Sequence, residues 1–497
     1  MPMTIDHAFR WWATERPDQD MIVSDGVRVS YAALDRWVGR VASLFVDQGF
    51  VPGDRVVICA ENSMEWCVAM LAAIRAGGMS AGVSTRMVRS EIEWLVQDYT
   101  PRIVITDEAN AAKLTDVSAV IVDRAQIAAL KDASEDRDVR LPLTDEDIVI
   151  IVTTSGSTAR PKGVMFSNRA ICEHNMWQML SDPLRGPYRR LLVAPMSTSA
   201  GTVPFLHTVL SGGTAYLENK FDAAQALHFI TDEGVNFVTG APIFFQRMAD
   251  LPEFDAADVS GLEIAHTGGA TVVQPLLEKW AAKGVLLRQM FGQTESGGTG
   301  VINSRHHALE RPDMCGGMMM FTDVAIMDPD GNFVPQGELG EIVLRGPGMM
   351  AGYWNNPEAT AQAMRDGWLH TGDLGLLDEL GLVKMVDRIK DIIISGGLNI
   401  SAAEVERVIL ELGVEEVAVI AARDEKFSEV PMAIVHGNVP ETDALLAYCR
   451  EQLSNFKVPR YLIRSDEPLP RLASGKISKP ALRALHGGDN PLPPPIK

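Results

Sequence analysis

Residues 147–163, DIVIIVTTSGSTARPKG, join an apolar strand pattern directly to a loop of hydroxyl residues, glycine and lysine. Hydroxyls and backbone amides donate hydrogen bonds to phosphate oxygens and a lysine adds positive charge, so this stretch predicts a polyphosphate-binding loop. It is not a Walker A loop, because Lys162 stands between Pro161 and Gly163 and therefore lacks both the preceding glycine and the following hydroxyl. The alternative is a surface turn, which rarely combines a buried strand with Pro-Lys-Gly.

The chain on either side of this loop alternates between helix and strand patterns. Apolar spacing predicts helices over 31–48 and 65–76, and short apolar runs predict buried strands over 54–59, 102–106 and 119–122. Continuously apolar strands between helices indicate an α/β fold with stacked, mostly parallel sheets. Later strand patterns end in turn-rich loops, where ligands of such sheets bind: LLVAP, GTAYLE, NFVTGAP, GLEIAHTGG and VLLRQMFG.

The sequence pattern changes near residue 320. Alternating strand patterns with Asp-Gly turns predict an antiparallel subdomain there, and the last hundred residues predict a separate small α+β domain. We therefore expect a large N-terminal domain over 1–388 and a small C-terminal domain over 389–497. The Gly- and Pro-rich end, about 487–497, is expected to be a loose tail.

Composition excludes several functional classes. The 497-residue chain is 46% hydrophobic and 22% charged, which is typical of a globular protein with more than one domain. Its net charge of −20 argues against non-specific binding to nucleic acid or to an anionic membrane face. The five scattered cysteines form no CxxC pair, and neither a signal peptide nor an apolar run of about 18 residues is present, so we expect a cytoplasmic protein without a membrane span. A homodimer is one of the assemblies that the sequence leaves open.

The phosphate loop and five later stretches together resemble the adenylate-forming superfamily of acyl-CoA synthetases, stand-alone adenylation enzymes and luciferases. The later matches, in family order, are MFGQTE (290–295), GELGEIVLRGPGMMAGYW (337–354), GWLHTGDLG (367–375), DRIKDIIISGGLNISAAEVE (387–406) and LPRLASGKISK (469–479). The loop departs from the family pattern only at Ser157 and Ala159, where threonine and glycine are usual. The resemblance implies that a carboxylate and ATP give an acyl-adenylate and pyrophosphate, and that coenzyme A then gives acyl-CoA and AMP.

The resemblance also implies which residues bind ATP. Small and hydroxyl residues would hold the phosphates, glycines and an aromatic ring would hold adenine, and an Asp-Arg pair would hold ribose. Without the resemblance, core packing is an equal alternative for Phe291, and a turn is the usual role of an Asp after glycine. The residues in that order are Thr154, Ser155, Gly156, Ser157, Thr158 and Lys162, then Gly268, Gly269, Ala270, Phe291 and Gly292, then Asp373 and Arg388.

Three residues would carry the adenylation chemistry. The resemblance implies that Lys476, on the Ser474-Gly475 loop, reaches the carboxylate and the α-phosphate as a mobile cation. Thr294 would donate its hydroxyl to the α-phosphate, and Glu295 would bind Mg²⁺. One glutamate suffices, because Mg²⁺ is usually bound by one or two carboxylates together with phosphate oxygens and water.

The second half-reaction would need a moving C-terminal domain. The resemblance implies that Lys390 is the hinge between two domain orientations, since a hinge is a few residues that absorb a large backbone change. It further implies that Gly396 and Gly397 line the tunnel for the CoA arm, where a long thiol passes close to the backbone. A tight turn before the helix at 402 is a compatible alternative for this glycine pair.

Residues 195–201, PMSTSAG, are the expected acyl-binding segment. They lack the aspartate by which amino-acid-activating relatives hold an ammonium group, and Ser197 and Thr198 replace an aromatic-histidine pair of many acyl-CoA synthetases. With Met318 as a flexible apolar wall, unless the methionine run is ordinary packing, we expect an aromatic, alicyclic or medium-chain acid rather than acetate. A carrier-protein-loading or light-producing enzyme and a non-catalytic nucleotide-binding relative are the alternatives, and the retained Lys476 and Glu295 argue against the latter.

Overall fold

The computed structural model describes residues 2–114, 117–154, 161–270, 272–424, 426–472, 476–487 and 492–494. By internal contacts the chain divides into two units, which are Met1–Val324 with Leu344–His370 and Ala325–Val343 with Thr371–Lys497. The division passes through a small antiparallel sheet rather than through one linker. The domain limits of 1–388 and 389–497 therefore stay a prediction, as does the hinge at Lys390.

The helices begin and end close to where the apolar spacing places them. The predicted helices over 31–48 and 65–76 are confirmed, and Ser30 and Ser63 cap them by accepting hydrogen bonds from backbone amides of the first turn. The helices are α1 (Ile5–Glu15), α2 (Tyr31–Asp47), α3 (Met64–Arg75), α4 (Arg89–Tyr99), α5 (Glu108–Ala111), α6 (Arg124–Ala129), α7 (Asn168–Ser181), α8 (Ser199–Leu210), α9 (Ala223–Thr231), α10 (Pro242–Ala249), α11 (Gln274–Ala281), α12 (Pro357–Ala363), α13 (Ala402–Leu410), α14 (Thr442–Gln452) and α15 (Lys479–His486).

The strands form four sheets within the described ranges. Those of the first half are β1 (Asp20–Ser24), β2 (Val27–Ser30), β3 (Arg55–Cys59), β4 (Met79–Gly82), β5 (Ile103–Thr106), β6 (Val120–Asp123), β7 (Ile148–Thr154), β8 (Lys162–Ser167), β9 (Arg189–Leu192), β10 (Thr214–Leu217), β11 (Phe237–Gly240) and β12 (Ile264–Gly268). Those of the second half are β13 (Leu287–Phe291), β14 (Val301–Ile302), β15 (Asp323–Met327), β16 (Gly340–Arg345), β17 (Gly352–Tyr353), β18 (Met364–Arg365), β19 (Trp368–Leu377), β20 (Val383–Arg388), β21 (Ile393–Ser395), β22 (Leu398–Ile400), β23 (Glu416–Asp424), β24 (Ser428–His436) and β25 (Tyr461–Ser465).

Two large sheets build the first unit, and both are parallel in their interior. One has the order β14-β13-β12-β11-β9-β10-β1-β2, with antiparallel strands at its two edges. The other has the order β17-β8-β7-β4-β3-β5-β6, in which β7 and β8 are antiparallel on either side of the phosphate loop. The inner parallel strands β3, β5 and β12 are buried almost throughout, as expected where helices cover both faces, whereas the edge strand β6 is partly exposed. The predicted α/β fold with parallel sheets is confirmed.

The remaining strands confirm the antiparallel pairing predicted after residue 320. β19 pairs antiparallel with β18 and β20 in the small sheet. In the second unit, β21, β22, β23 and β24 form an antiparallel sheet that β25 extends in parallel. Apolar residues of α13 and α14 pack on this sheet in one buried cluster, which gives the expected small α+β unit. None of the helices in the described ranges has the length and apolar character needed to cross a bilayer.

A buried ionic cluster ties two neighbouring strands of the first unit together. Asp182, at the end of α7, accepts hydrogen bonds from His266 of β12 at 3.0 Å and from Arg288 of β13 at 2.5 Å. Burial alone would raise the pKa of Asp182, but the bonds from His266 and Arg288 outweigh it and hold the pKa at about 2. The cluster fixes strands whose carboxyl ends carry Gly268 and Phe291.

Replacing Asp182 with asparagine should strongly destabilise the fold. The change leaves the Arg288 guanidinium buried without its carboxylate, and breaking a buried pair from one side costs about 3–5 kcal/mol in the free energy of unfolding. Denaturant unfolding at pH 7 measures the loss. Asp232→Asn is the matched control, since Asp232 also pairs with a histidine, His228, but on the exposed surface. Equal, small losses in both variants would show that the cluster is not a major source of stability.

Candidate active site

The strands on both sides of the phosphate loop are fixed by hydrogen bonds. Thr153 donates its hydroxyl to the Gly82 carbonyl at 2.9 Å and contacts the Tyr99 hydroxyl at 2.9 Å. Across the mouth of the loop, Thr154 of β7 is paired with Lys162 of β8 and donates its hydroxyl to the Lys162 carbonyl at 3.3 Å. Residues 155–160 of the loop lie outside the described residues, and the predicted phosphate ligands Ser155, Gly156, Ser157 and Thr158 are among them.

Lys162 is connected to the proposed metal ligand through an aromatic residue. Its ammonium nitrogen lies 4.8 Å from the centroid of the Tyr353 ring, within the range of a cation–π interaction. The Tyr353 hydroxyl donates a hydrogen bond to Oε1 of Glu295 at 2.7 Å. Tyr353 was not singled out in the sequence, although it stands in the matched stretch 337–354. Lys162 and Glu295, which are far apart in the chain, thus both contact one tyrosine.

Glu295 and Thr294 lie in a single 3-10 turn after β13. The turn spans Thr294–Ser296 and ends at Gly297, whose φ of 70° is in the left-handed region that favours glycine. The Glu295 carbonyl accepts a hydrogen bond from the Met350 amide at 2.9 Å. The turn therefore carries a hydroxyl and a carboxylate on consecutive residues, and the Met350 bond ties its backbone to a distant segment of the chain.

The donor set of this turn fits magnesium bound together with a nucleotide. Among the residues that the structure describes, no three His, Cys, Asp or Glu side chains cluster as a self-sufficient metal site. Glu295 offers a hard carboxylate oxygen, which matches the preference of Mg²⁺ for one or two protein carboxylates, phosphate oxygens and water. Glu295, with Thr294 beside it, is the group that would hold the metal.

The predicted acyl segment meets the Thr294 turn. Ser199, the first residue of α8, lies with its hydroxyl 3.1 Å from the Thr294 hydroxyl. Ser199 is not among the site residues expected from the sequence, although it lies in the expected acyl-binding segment. The contact brings the segment expected to bind the acid against the residue expected to bind the α-phosphate.

The acyl segment itself is held by its neighbours. Asn62 accepts a hydrogen bond from the Met196 amide at 2.7 Å and donates to the Ala194 carbonyl at 3.2 Å. Thr198 uses its hydroxyl to donate to the Pro195 carbonyl at 2.7 Å. A Cβ on Gly82 would lie 2.9 Å from the Cα of Ser197, so that only glycine fits at the end of β4.

The predicted adenine residues lie on adjacent strands. Gly268 of β12 is paired with Met290 of β13, and a Cβ on Gly268 would lie 2.5 Å from the Met290 carbonyl oxygen. Gly269 follows with φ 78°, beside Ala270. Phe291 ends β13 and is 7% exposed, which is compatible with both the adenine role and the packing alternative; Gly292 comes next.

Met318 lies on the surface rather than in the core. Its side chain is 74% exposed, and Met320 and Phe321 are also exposed. The alternative that this methionine run is ordinary core packing is therefore wrong for Met318 and Met320.

The second unit contains the predicted ribose pair. Asp373 on β19 faces Arg388 on β20, with 2.8 Å between the Arg388 Nε and the Asp373 Oδ1, and the Asp373 side chain is buried. Desolvation and then the like charge of Arg388 lower the pKa of Lys476, while Asp373 opposes them. Lys476 is therefore in the same electrostatic environment as the ribose pair. Ser474 and Gly475 lie outside the described residues.

Ion pairs and caps hold the segments that flank Lys390. Before it, Asp387 accepts hydrogen bonds at 2.9 Å from the Ser401 hydroxyl and from the backbone amide of Ala403, at the start of α13. After it, Asp391 pairs with Arg483 of α15 at 2.5 Å. Lys390 itself lies in a short 3-10 turn between these two anchors.

The Gly396-Gly397 pair forms the turn between β21 and β22. Both residues have positive φ, 57° and 83° respectively, which is the geometry of a tight hairpin turn and favours glycine at each position. The turn alternative is thus confirmed, although the turn joins two strands. The CoA-tunnel role of the same residues stays a prediction.

Comparisons with known proteins give one consistent family. A model described as AMP-binding enzyme matches residues 9–354, and a model described as AMP-binding enzyme C-terminal domain matches residues 404–476. A feruloyl-CoA synthase from Amycolatopsis sp is 35% identical over 95% of this chain and 96% of its own length. A long-chain-fatty-acid–CoA ligase from Mycobacterium tuberculosis is 32% identical over 94% and 95% of the two chains.

Solved structures agree with the sequence relatives. The o-succinylbenzoate CoA synthetase of Bacillus subtilis, in complex with its acyl-adenylate intermediate, has a TM-score of 0.89 at 26% identity and covers 99% of both chains. The same enzyme in complex with ATP and a magnesium ion has a TM-score of 0.87 at 26% identity, covering 96% of this chain and 98% of that one.

Proposed function

The chain belongs to the AMP-binding enzyme family and is an AMP-forming acid–CoA ligase, and we propose that its substrate is an aromatic, alicyclic or medium-chain carboxylic acid. Relatives named as CoA ligases support free CoA over a carrier protein as the acceptor. The observation that carries the location of the acyl site is the 3.1 Å contact between the hydroxyls of Ser199 and Thr294. It supports a site where an acid and an α-phosphate meet.

The first half-reaction joins two anions, so the residues around them must offset charge and align the reacting atoms. A carboxylate oxygen of the acid attacks the α-phosphorus of ATP, the bond to the bridging oxygen breaks, and pyrophosphate leaves. Lys476 supplies the cation that spans the acid and the α-phosphate, while Thr294 donates its hydroxyl to an α-phosphate oxygen. Lys162 offsets the charge of the departing phosphates.

The remaining ATP contacts orient the nucleotide. Asp373 accepts hydrogen bonds from the ribose hydroxyls with Arg388 beside it, and Phe291 with the glycines of β12 encloses the adenine. Glu295, which accepts a hydrogen bond from Tyr353, would hold the metal. Magnesium bound there with ATP would supply positive charge that offsets the charge of the phosphates.

The second half-reaction passes the acyl group to sulfur. The CoA thiolate attacks the acyl carbon, the bond to the phosphate oxygen breaks, and AMP leaves with that oxygen. We place the CoA arm beside Gly396 and Gly397 after rotation about Lys390. The cytoplasmic location stays an expectation of the sequence, and the assembly stays open, with a homodimer as one of the possibilities.

Three features support the bulky, apolar substrate class. Ser197 and Thr198 are small, and the Thr198 hydroxyl is already bonded to Pro195. Met318 is exposed and flexible, so it is available to cover an apolar acid. The relative with 35% identity is named for an aromatic acid, feruloyl-CoA being its product.

Replacing Ser197 with Phe and Thr198 with His should narrow the acyl site. We expect the ratio of kcat/KM for an aromatic acid to kcat/KM for a short-chain acid to fall about tenfold or more, because a few methylene-sized changes in a pocket alter discrimination by this amount. The KM for ATP should change little. AMP release measured over a panel of acids gives both quantities. Thr198→Ser, which keeps the hydroxyl, is the control, and an unchanged acid profile in a folded double variant would remove these residues from the acyl site.

A further inference from the structure

His174 is a fully buried histidine with no place in the two half-reactions. It lies on α7, where its ring stacks on Trp177 at 5.1 Å and meets His207 edge-on at 5.0 Å. Its Nε2 lies 3.1 Å from the Thr299 carbonyl oxygen. Because a carbonyl oxygen only accepts, Nε2 carries the hydrogen and donates it to the loop that follows the Glu295 turn. Burial lowers the pKa of His174 to about 4, so that the ring is neutral near pH 7.

The ring occupies a slot between two glycines from different parts of the chain. A Cβ on Gly297 would lie 3.0 Å from the His174 Nδ1, and a Cβ on Gly348 would lie 2.7 Å from the His174 Cγ. The same Cβ on Gly297 would lie 3.1 Å from the Gly348 carbonyl oxygen. Both glycines have positive φ, 70° and 83°. The imidazole and two glycine backbones therefore form one close-packed contact that no larger residue could join without displacement.

The two segments meeting at this contact carry Glu295 and its hydrogen-bond donor. Gly297 stands two residues after Glu295, and Gly348 stands five residues before Tyr353. The segments are also bonded to each other, by the Met350 amide to the Glu295 carbonyl at 2.9 Å and by the Tyr353 hydroxyl to the Glu295 carboxylate at 2.7 Å. Removing the ring opens a void beneath both segments and releases the Thr299 carbonyl.

We propose that His174 is a positioning residue for Glu295. It acts through the backbone, by fixing the distance between the Glu295 turn and the Tyr353 segment, and it touches neither substrate nor metal. The inference rests on the proposed function, in which Glu295 binds magnesium. Groups that orient a metal ligand typically change metal affinity by about 10- to 100-fold when they are lost.

The test measures how strongly magnesium tightens ATP binding. ATP is titrated by calorimetry in MgCl₂ and in EDTA. The dissociation constant in EDTA divided by that in MgCl₂ gives the magnesium effect, and this ratio is compared between variants. We expect His174→Ala and His174→Asn to lower this ratio about tenfold with little change in EDTA. His174→Gln, whose amide can reach the Thr299 carbonyl, should restore most of it. If the alanine variant does not fold, the Asn and Gln variants carry the comparison.

Two controls separate the possible outcomes. His207→Asn removes the neighbouring buried imidazole, which bonds to Gln178 and not to the loop, and should leave the ratio unchanged. Glu295→Gln should abolish the magnesium effect; if it does not, the proposed metal role of Glu295 is wrong. A ratio lowered by Glu295→Gln but unchanged in the His174 variants, or lowered equally in His207→Asn, overturns the inference about His174 alone.

Discussion

Replacing Lys476 with alanine should lower the adenylation rate about a hundredfold or more, while leaving thioester formation from supplied acyl-adenylate nearly intact. The ammonium offsets charge where carboxylate and α-phosphate approach, and losing one such preorganised contact costs about 3–4 kcal/mol in the activation free energy. Once the acyl-adenylate is present, the carboxylate and the α-phosphate are already joined, so their mutual repulsion no longer has to be offset. Single-turnover measurements of the two half-reactions give the two rates separately.

Two further variants make the Lys476 result specific. Lys476→Arg keeps the charge but changes its shape, so that it should retain part of the adenylation rate. Lys457→Ala removes a different lysine of the same unit, which forms a partly buried pair with Glu404, and should have no effect on either rate. Equal losses in both half-reactions of Lys476→Ala would contradict its assignment to adenylation.

Replacing Lys390 with proline should slow the transfer of the acyl group to CoA and leave adenylation intact, which is the reverse of the effect expected for Lys476→Ala. Proline fixes φ near −65°, removes a backbone donor and restricts the preceding residue, so that the segment can no longer absorb a large rotation. We expect the acyl-adenylate to form at close to the normal rate and its transfer to CoA to fall about a hundredfold, the scale of a catalytic constellation that fails to assemble.

Lys390→Ala is the matched control for the hinge. It removes the ammonium but leaves the backbone free to rotate, so transfer to CoA should stay close to normal. Acyl-CoA formation from supplied acyl-adenylate is measured for both variants after circular dichroism has shown that they are folded. Normal transfer in Lys390→Pro would move the pivot elsewhere in the chain.

Local patterns in the sequence account for most of the fold and for the residue types at the site. The continuously apolar strands predict parallel sheets, and those sheets are present. The matched stretches also contain Asp373 and Arg388, which the structure pairs across two strands. These features were accessible because each one depends on a short run of residues whose periodicity or motif is visible directly.

The contacts that join the site could not be predicted in the same way. Ser199 and Thr294 are 95 residues apart, and Tyr353 and Glu295 are 58 apart. Periodicity shows which face of a strand is buried, but it does not show which strands or turns become neighbours. His174 reads as one more polar residue on a helix, because the glycine slot around it comes from two distant segments.

The sequence also leaves two alternatives each for the Gly396-Gly397 pair and for Met318, because it does not show which segments surround these residues. Gly396 and Gly397 were expected to line a tunnel or to form a turn, and their positive φ values confirm the turn without testing the tunnel. Met318 was expected to be a pocket wall or core packing, and its exposure excludes the core. In both cases the residue type alone fits two environments, and only the three-dimensional surroundings distinguish them.

The most direct test of the account is a paired measurement on the unmodified protein with a panel of aromatic, alicyclic and medium-chain acids. Exchange of labelled pyrophosphate into ATP is followed with acid and Mg²⁺ but without CoA, and AMP release is followed after CoA is added. The account predicts acid-dependent exchange in the absence of CoA, followed by one AMP and one thioester for each ATP consumed once CoA is present. Formation of ADP and phosphate in place of AMP and pyrophosphate, or exchange that no acid of the panel stimulates, would contradict it.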